Sequence, residues 1–112
     1  MDLKNTGCDV AYDHIGIPTI HPSEGEVYHP DICAHILSVK TDALRIEKIR
    51  FDADAPFPDD VKTRTHVAFK VDSLSEAIFG KQIVMPPTEF KPGIRFAFVD
   101  IEGVLIEFFE IG

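Results

Sequence analysis

Strand-like and turn-like segments alternate along this chain, and polar residues interrupt several strands where an apolar side chain is expected. Val10 to Thr19, "VAYDHIGIPT", reads as a strand with Ile15 and Ile17 on one face and His14, Gly16 and Pro18 on the other. Pro18 suits a strand end or an edge position. Residues 20–31, "IHPSEGEVYHPD", hold two prolines, a glycine and no helical apolar period, which predicts a loop with at most one turn of helix. Ile32 to Val39 and Leu44 to Phe51 read as two strands of a hairpin that turns at Lys40-Thr41-Asp42. The acidic "DADAPFPDD", Asp52 to Asp60, contains two prolines and reads as a linker.

The second half has clearer punctuation. Thr65 to Val71, "THVAFKV", predicts a strand. Ser73 and Glu76 then form an S-x-x-E capping signature ahead of Ala77 and Ile78. Leu74, Ala77 and Ile78 follow helical spacing and Gly80 is a natural stop, so the helix spans about two turns. Lys81 to Met85 reads as a short strand closed by Pro86-Pro87. "GIRFAFVD" and "VLIEFFEI" are two further strands, joined by a turn at Asp100 to Gly103.

The two halves repeat. "YDHIGIPT" aligns with "RTHVAFKV" on the histidine, and "ALRIEKIRF" aligns with "GVLIEFFEI" on the glutamate. The histidines lie 52 positions apart (66 − 14) and the glutamates 60 (107 − 47). Two such modules predict a pseudo-symmetric sheet with equivalent residues facing each other across an axis. The expected organisation is a single domain of residues 1–112. Its first module covers about 9–51, its linker about 52–62 and its second module about 63–112.

Strand parity gives the polar residues their meaning. His14 shares its face with Gly16, and His66 shares its face with Ala68, so each histidine sits beside a small residue that leaves room for a cavity. The bulkier opposite face of the second-half strand, with Val67, Phe69 and Val71, suits cover by the helix. Glu107 shares a face with Leu105, Phe109 and Ile111, where a lone carboxylate is costly unless paired, protonated or bound to a metal. Glu47 lies with Arg45 and Ile49, a less hostile setting. Two histidines and two glutamates make a borderline donor set suited to Zn²⁺, Mn²⁺, Fe²⁺, Co²⁺ or Ni²⁺ with positions open for water or substrate. The same residues have plainer readings: a strand histidine is commonly a satisfied structural residue, and Glu107 can pair with Arg45, Arg50 or Arg95.

Composition narrows the classes. A formal charge of −8, with the acidic residues dispersed, argues against a nucleic-acid or anionic-membrane surface. No apolar run approaches the roughly 20 residues of a membrane span. The first ten residues, "MDLKNTGCDV", lack a signal peptide's apolar core. Two cysteines, Cys8 and Cys33, make neither a disulfide framework nor a thiolate metal motif. The expected location is the cytoplasm.

"DHIGIPT", "THVAFKVDSL" and "GVLIEFFE" together resemble the glyoxalase / bleomycin-resistance / extradiol-dioxygenase group, the vicinal oxygen chelate superfamily. The phrase "IEKIRFDADAPFPDDVKTRTHVAFKVD" resembles a subgroup of small bacterial members. The resemblance implies an α+β fold of paired βαβββ modules, curled into a mixed sheet around a metal-holding cleft. It implies His14, Glu47, His66 and Glu107 as metal ligands, with Glu47 and Glu107 as the candidate proton-transferring carboxylates. The implied activity is that of a divalent-metal-dependent lyase, isomerase or epimerase on a small oxygenated molecule. The alternatives are a metal-free binder of antibiotic-type molecules and a regulatory module with a vestigial cleft. A homodimer is the assembly the resemblance implies. The first module departs from the pattern: it offers three strand candidates, and "HPSEGEVYHPD" stands where the helix is expected. That loop brings Tyr28 and His29 forward as ligand contacts, and Arg95 is a candidate for an anionic substrate group. His21 and His35 read as surface residues.

Overall fold

A computed structural model describes residues 9–112. Eight strands form one sheet: β1 (Val10–Pro18), β2 (Val27–His29), β3 (Ala34–Lys40), β4 (Arg45–Phe51), β5 (His66–Val71), β6 (Gln82–Lys91), β7 (Ile94–Ile101) and β8 (Val104–Ile111). Two short helices are described, α1 (Asp59–Thr63) and α2 (Leu74–Ile78). Neither is long and apolar enough to cross a membrane.

The strand order is β2-β3-β4-β1-β5-β8-β7-β6. Read outward from the centre, each half runs first strand, last strand, third strand, second strand, so the repeat in the sequence becomes a repeat in the sheet. β1 pairs with β4 in parallel, β5 pairs with β8 in parallel, and β1 and β5 meet antiparallel at the centre. The result is the curled mixed sheet of an α+β protein.

The outer face of the second half buries Val71, Leu74, Ala77, Ala97, Val99, Ile106 and Phe108 in one cluster. Val67 and Phe69 pack against it, as the parity of β5 requires. Helix α2 supplies Leu74 and Ala77 to this layer. Ser73 caps it by accepting the Glu76 backbone N–H at 3.3 Å, while the Leu74 N–H donates to Glu110 on β8 at 2.7 Å. Gly80, at φ +73°, ends the turn where a side chain would be strained. A second cluster, Val61, Met85, Phe96, Phe98 and Leu105, lies on the concave side.

Three predicted segments differ from what is observed. The 20–31 loop contains β2, whose three residues pair with β3, so the first half keeps four strands; among the described residues it has no helix. The linker is not purely irregular, because Asp59 to Thr63 closes one helical turn behind Pro58, with Asp59 and Asp60 at its positive end. The strand at Lys81–Met85 does not stop at Pro86-Pro87. β6 continues to Lys91, because it is an edge strand with no ladder to lose on its open side, and a register shift between Met85 and Thr88 takes the two prolines out of the ladder to β7.

Candidate metal centre

The central four strands bring the repeat residues together. On β1 and β5, His14 lies opposite Ala68 and Gly16 lies opposite His66. On the flanking strands, Gly16 lies opposite Glu47 and Ala68 opposite Glu107. Two rows therefore cross the sheet, His14–Ala68–Glu107 and Glu47–Gly16–His66, each with a small residue between a histidine and a glutamate. A Cβ added to Gly16 would overlap the His66 imidazole. The small residue is thus a requirement of the site.

The donor atoms converge. His66 Nε2 lies 3.1 Å from Glu107 Oε1, His14 Nε2 lies 3.9 Å from the same oxygen, and His14 Nε2 lies 3.3 Å from Glu47 Oε1. His14, His66 and Glu107 offer ligand atoms that all fall within 4.8 Å of one another. Both histidines are buried, at 8% and 2% exposure. Neither His66 ring nitrogen has a hydrogen-bond partner, although Glu107 is near. A buried imidazole left in that state costs free energy unless something else occupies its lone pair. Ligand atoms bonded to a first-row cation at about 2.0–2.2 Å stand roughly 3.0–3.5 Å apart; the 3.1 and 3.3 Å separations fall in that range and the 3.9 Å separation lies just above it. The residues fit a divalent metal.

His14 is oriented by its own neighbour. Successive strand residues normally point to opposite faces, yet Asp13 Oδ2 lies 2.7 Å from His14 Nδ1. The register shift between Tyr12 and His14 marks a β-bulge, which turns Asp13 to the histidine's side. A carboxylate that accepts the Nδ1–H leaves Nε2 as the free donor pair, the usual way a protein fixes a metal-binding imidazole. Arg45 holds the arrangement from the rim, with Nη1 3.9 Å from Asp13 and Nη2 3.6 Å from Glu47.

The cluster sits in a cleft of about 380 Å³. Its walls are largely apolar, with Ile32, Ile36 and Ile49 from the first half and Phe90, Phe96 and Phe109 from the second. His29, Arg45 and Lys91 are its basic residues besides the two central histidines. Arg95 is not at the cleft: Phe96 and Phe98 take the concave side of β7, so Arg95 is exposed on the other face. Tyr28 is likewise outside it, because β2 turns His29 inward and Tyr28 outward, where its hydroxyl donates to Asp52 at 2.7 Å. That bond pushes the Tyr28 phenol up to about 12. Glu26 and Arg50 form an ion pair on the same side, and the guanidinium holds the Glu26 carboxyl below the usual carboxylate range. His35 joins this group, 3.7 Å from Glu26 and 3.9 Å from Asp52. His21 is exposed; Cys33 is a free thiol, and Cys8 lies outside the described residues.

The site contains residues that sequence patterning did not single out. Asp13 was hidden because strand alternation assigns it to the face opposite His14. Phe57, from the linker, reaches the cleft although nothing in "DADAPFPDD" marks it as a wall residue. Arg45 was visible as a neighbour of Glu47 and as one possible partner of Glu107, but not as the residue that reaches both Asp13 and Glu47.

No protein-family model and no curated protein sequence matches this chain. Solved structures do. A hypothetical protein from Bacillus halodurans C-125 superposes with a TM-score of 0.65 at 23% identity, covering 92% of this chain and 95% of that one. Methylmalonyl-CoA epimerase from Mycobacterium tuberculosis superposes with a TM-score of 0.56 at 17% identity, covering 91% of this chain and 88% of that one. At these identities the likeness is one of fold, and with the paired four-strand halves it fits the vicinal oxygen chelate fold.

Proposed function

We propose that the protein is a divalent-metal-dependent isomerase, epimerase or lyase acting on a small oxygenated molecule. The observation that carries this reading is the convergence of His14, His66 and Glu107 around buried imidazole nitrogens without hydrogen-bond partners. The fold shared with methylmalonyl-CoA epimerase supports it. His14, His66 and Glu107 would hold the cation, with Glu47 adjacent as a fourth ligand or a base. When bound, the metal supplies Lewis acidity that makes the C–H beside a carbonyl more acidic.

The chain's own residues do the rest. Glu47 is the proton carrier, because it stands beside the cluster but outside its three-ligand core. Arg45 contacts one Glu47 oxygen, which leaves the other directed toward the centre. Asp13 keeps His14 in the ligating tautomer. The apolar walls flank the place of proton transfer. A homodimer remains the assembly expected of such a protein.

The test is solvent deuterium exchange at the C–H beside a carbonyl, followed by proton NMR over a panel of small 2-oxo and 2-hydroxy acids. Metal-loaded protein should exchange at least one member. The Glu47→Gln variant should keep its metal and exchange about 10²–10⁴-fold more slowly, the range for loss of a positioned base. Exchange that is absent throughout the panel, or unchanged in Glu47→Gln, contradicts the proposal.

A further inference from the structure

The cleft says something about the substrate beyond its oxygen atoms. Six of the nine phenylalanines in the chain line it, namely Phe51, Phe57, Phe90, Phe96, Phe98 and Phe109. Several are joined in a continuous run of rings. Phe51 lies 5.1 Å from Phe57, and Phe57 stacks on Phe96 at 6.0 Å with planes 22° apart. Phe96 meets Phe98 edge-on at 5.9 Å, and Phe98 meets the metal-site residue His66 edge-on at 5.1 Å. The run starts at the end of β4, crosses the linker and ends at the donor cluster.

Phe96 and Phe98 are buried, but Phe51, Phe57, Phe90 and Phe109 keep part of their surface open. An open apolar wall leading directly to a polar cluster is what a ligand with an apolar body and an oxygen head requires. Ring edges and faces presented at different angles favour another ring, because aromatic pairs gain from edge-to-face and offset contacts beyond the area they bury.

Charge and size argue against the larger alternatives. A carrier with several phosphates needs a group of free cations, and the cleft offers few. Arg45 is engaged by Asp13 and Glu47, and Lys91 lies over the Phe90 ring at 5.3 Å. The whole chain carries −8. A volume of about 380 Å³ is near the small end for ligand pockets.

We infer that the substrate is a small, carrier-free molecule with one aromatic ring attached to its metal-directed oxygen head, and that the part-open rings of Phe51, Phe57, Phe90 and Phe109, backed by buried Phe96 and Phe98, form its ring-binding wall. The oxygen-head part rests on the proposed metal centre; the ring part rests on the wall alone.

Calorimetric titration of the zinc-loaded protein with mandelate, hexahydromandelate and lactate separates the ring from the head. Mandelate should bind at least 10-fold more tightly than lactate and at least 3-fold more tightly than its saturated analogue. Phe57→Leu keeps an apolar side chain at the wall and should reduce the mandelate-to-lactate ratio below 3-fold. In chelator-treated protein, ligand-observed NMR with neutral 1-phenylethane-1,2-diol and propane-1,2-diol reads the wall without the metal. A ring preference there, in protein that takes up no zinc, upholds the wall and removes the metal centre. Equal affinity for ring and methyl compounds in both arms overturns the inference, whatever the metal result.

Discussion

His66 lies against Gly16, its cross-strand partner, in the space where a side chain on residue 16 would begin. The two residues come from different halves of the repeat, so the central strand pair, and not either module alone, shapes the donor cluster. Gly16→Ala should force the imidazole out of place. The expected cost is about 1–3 kcal/mol of stability from overpacking, read by denaturant unfolding. Metal affinity should fall about 10–100-fold, as for loss of ligand orientation, read by competition with a chromophoric chelator.

Asp13 should behave differently, because it supports a ligand without filling the core. Asp13→Ala removes the 2.7 Å contact that fixes His14 Nδ1. Metal affinity should drop about 10–100-fold while the far-ultraviolet circular dichroism stays that of the wild type. An unchanged affinity would remove Asp13 from the site.

The repeat was legible because β alternation and the His/Glu positions survive in both halves. His14, Glu47, His66 and Glu107 could be aligned without coordinates, and Ala68 and Gly16 were visible as small neighbours. What alternation hides is its own interruption. The bulge at Tyr12 to His14 reverses the expected side of Asp13, and no residue type there announces it. β2 was missed because three residues between prolines carry too little pattern to outweigh the turn signals around them. β6 was cut short because prolines end central strands, and edge position is a property of the sheet order. Phe57 joins the wall through tertiary packing with Phe51 and Phe96, which no local spacing encodes.

On the outer face, Glu26 and Arg50 link β4 to the segment entering β2. The folded-state Glu26 carboxyl titrates below its ordinary value of 4.5, chiefly because Arg50 hydrogen-bonds it. A lowered folded value means the stabilisation is present above pH 4.5 and is lost as pH falls below it. Glu26→Gln should therefore be less stable than wild type at neutral pH, with the difference closing in acid. Urea unfolding of both proteins across the acid range checks this; a gap that does not narrow contradicts it.

Tyr28 gives the opposite sign. Its phenol is raised from 10.0 to about 12, first by its hydrogen bond to Asp52. The protonated form is favoured in the folded protein, so the contribution is full below pH 10 and disappears as pH rises toward 12. The difference in phenolate absorbance between wild type and Tyr28→Phe should titrate with a midpoint near 12 while the protein stays folded. A midpoint near 10 would show that the Asp52 contact does not persist in solution.

The central claim is that His14 and His66, one from each half, hold a metal with Glu107. The direct measurement is elemental analysis of protein purified without chelator and dialysed against metal-free buffer, alongside His14→Ala and His66→Ala. Wild type should retain about one divalent ion per chain, and each variant should retain a small fraction of that while keeping its fold. Equal, negligible metal in all three proteins, persisting after incubation with zinc, manganese, cobalt, nickel or ferrous iron, would contradict the account.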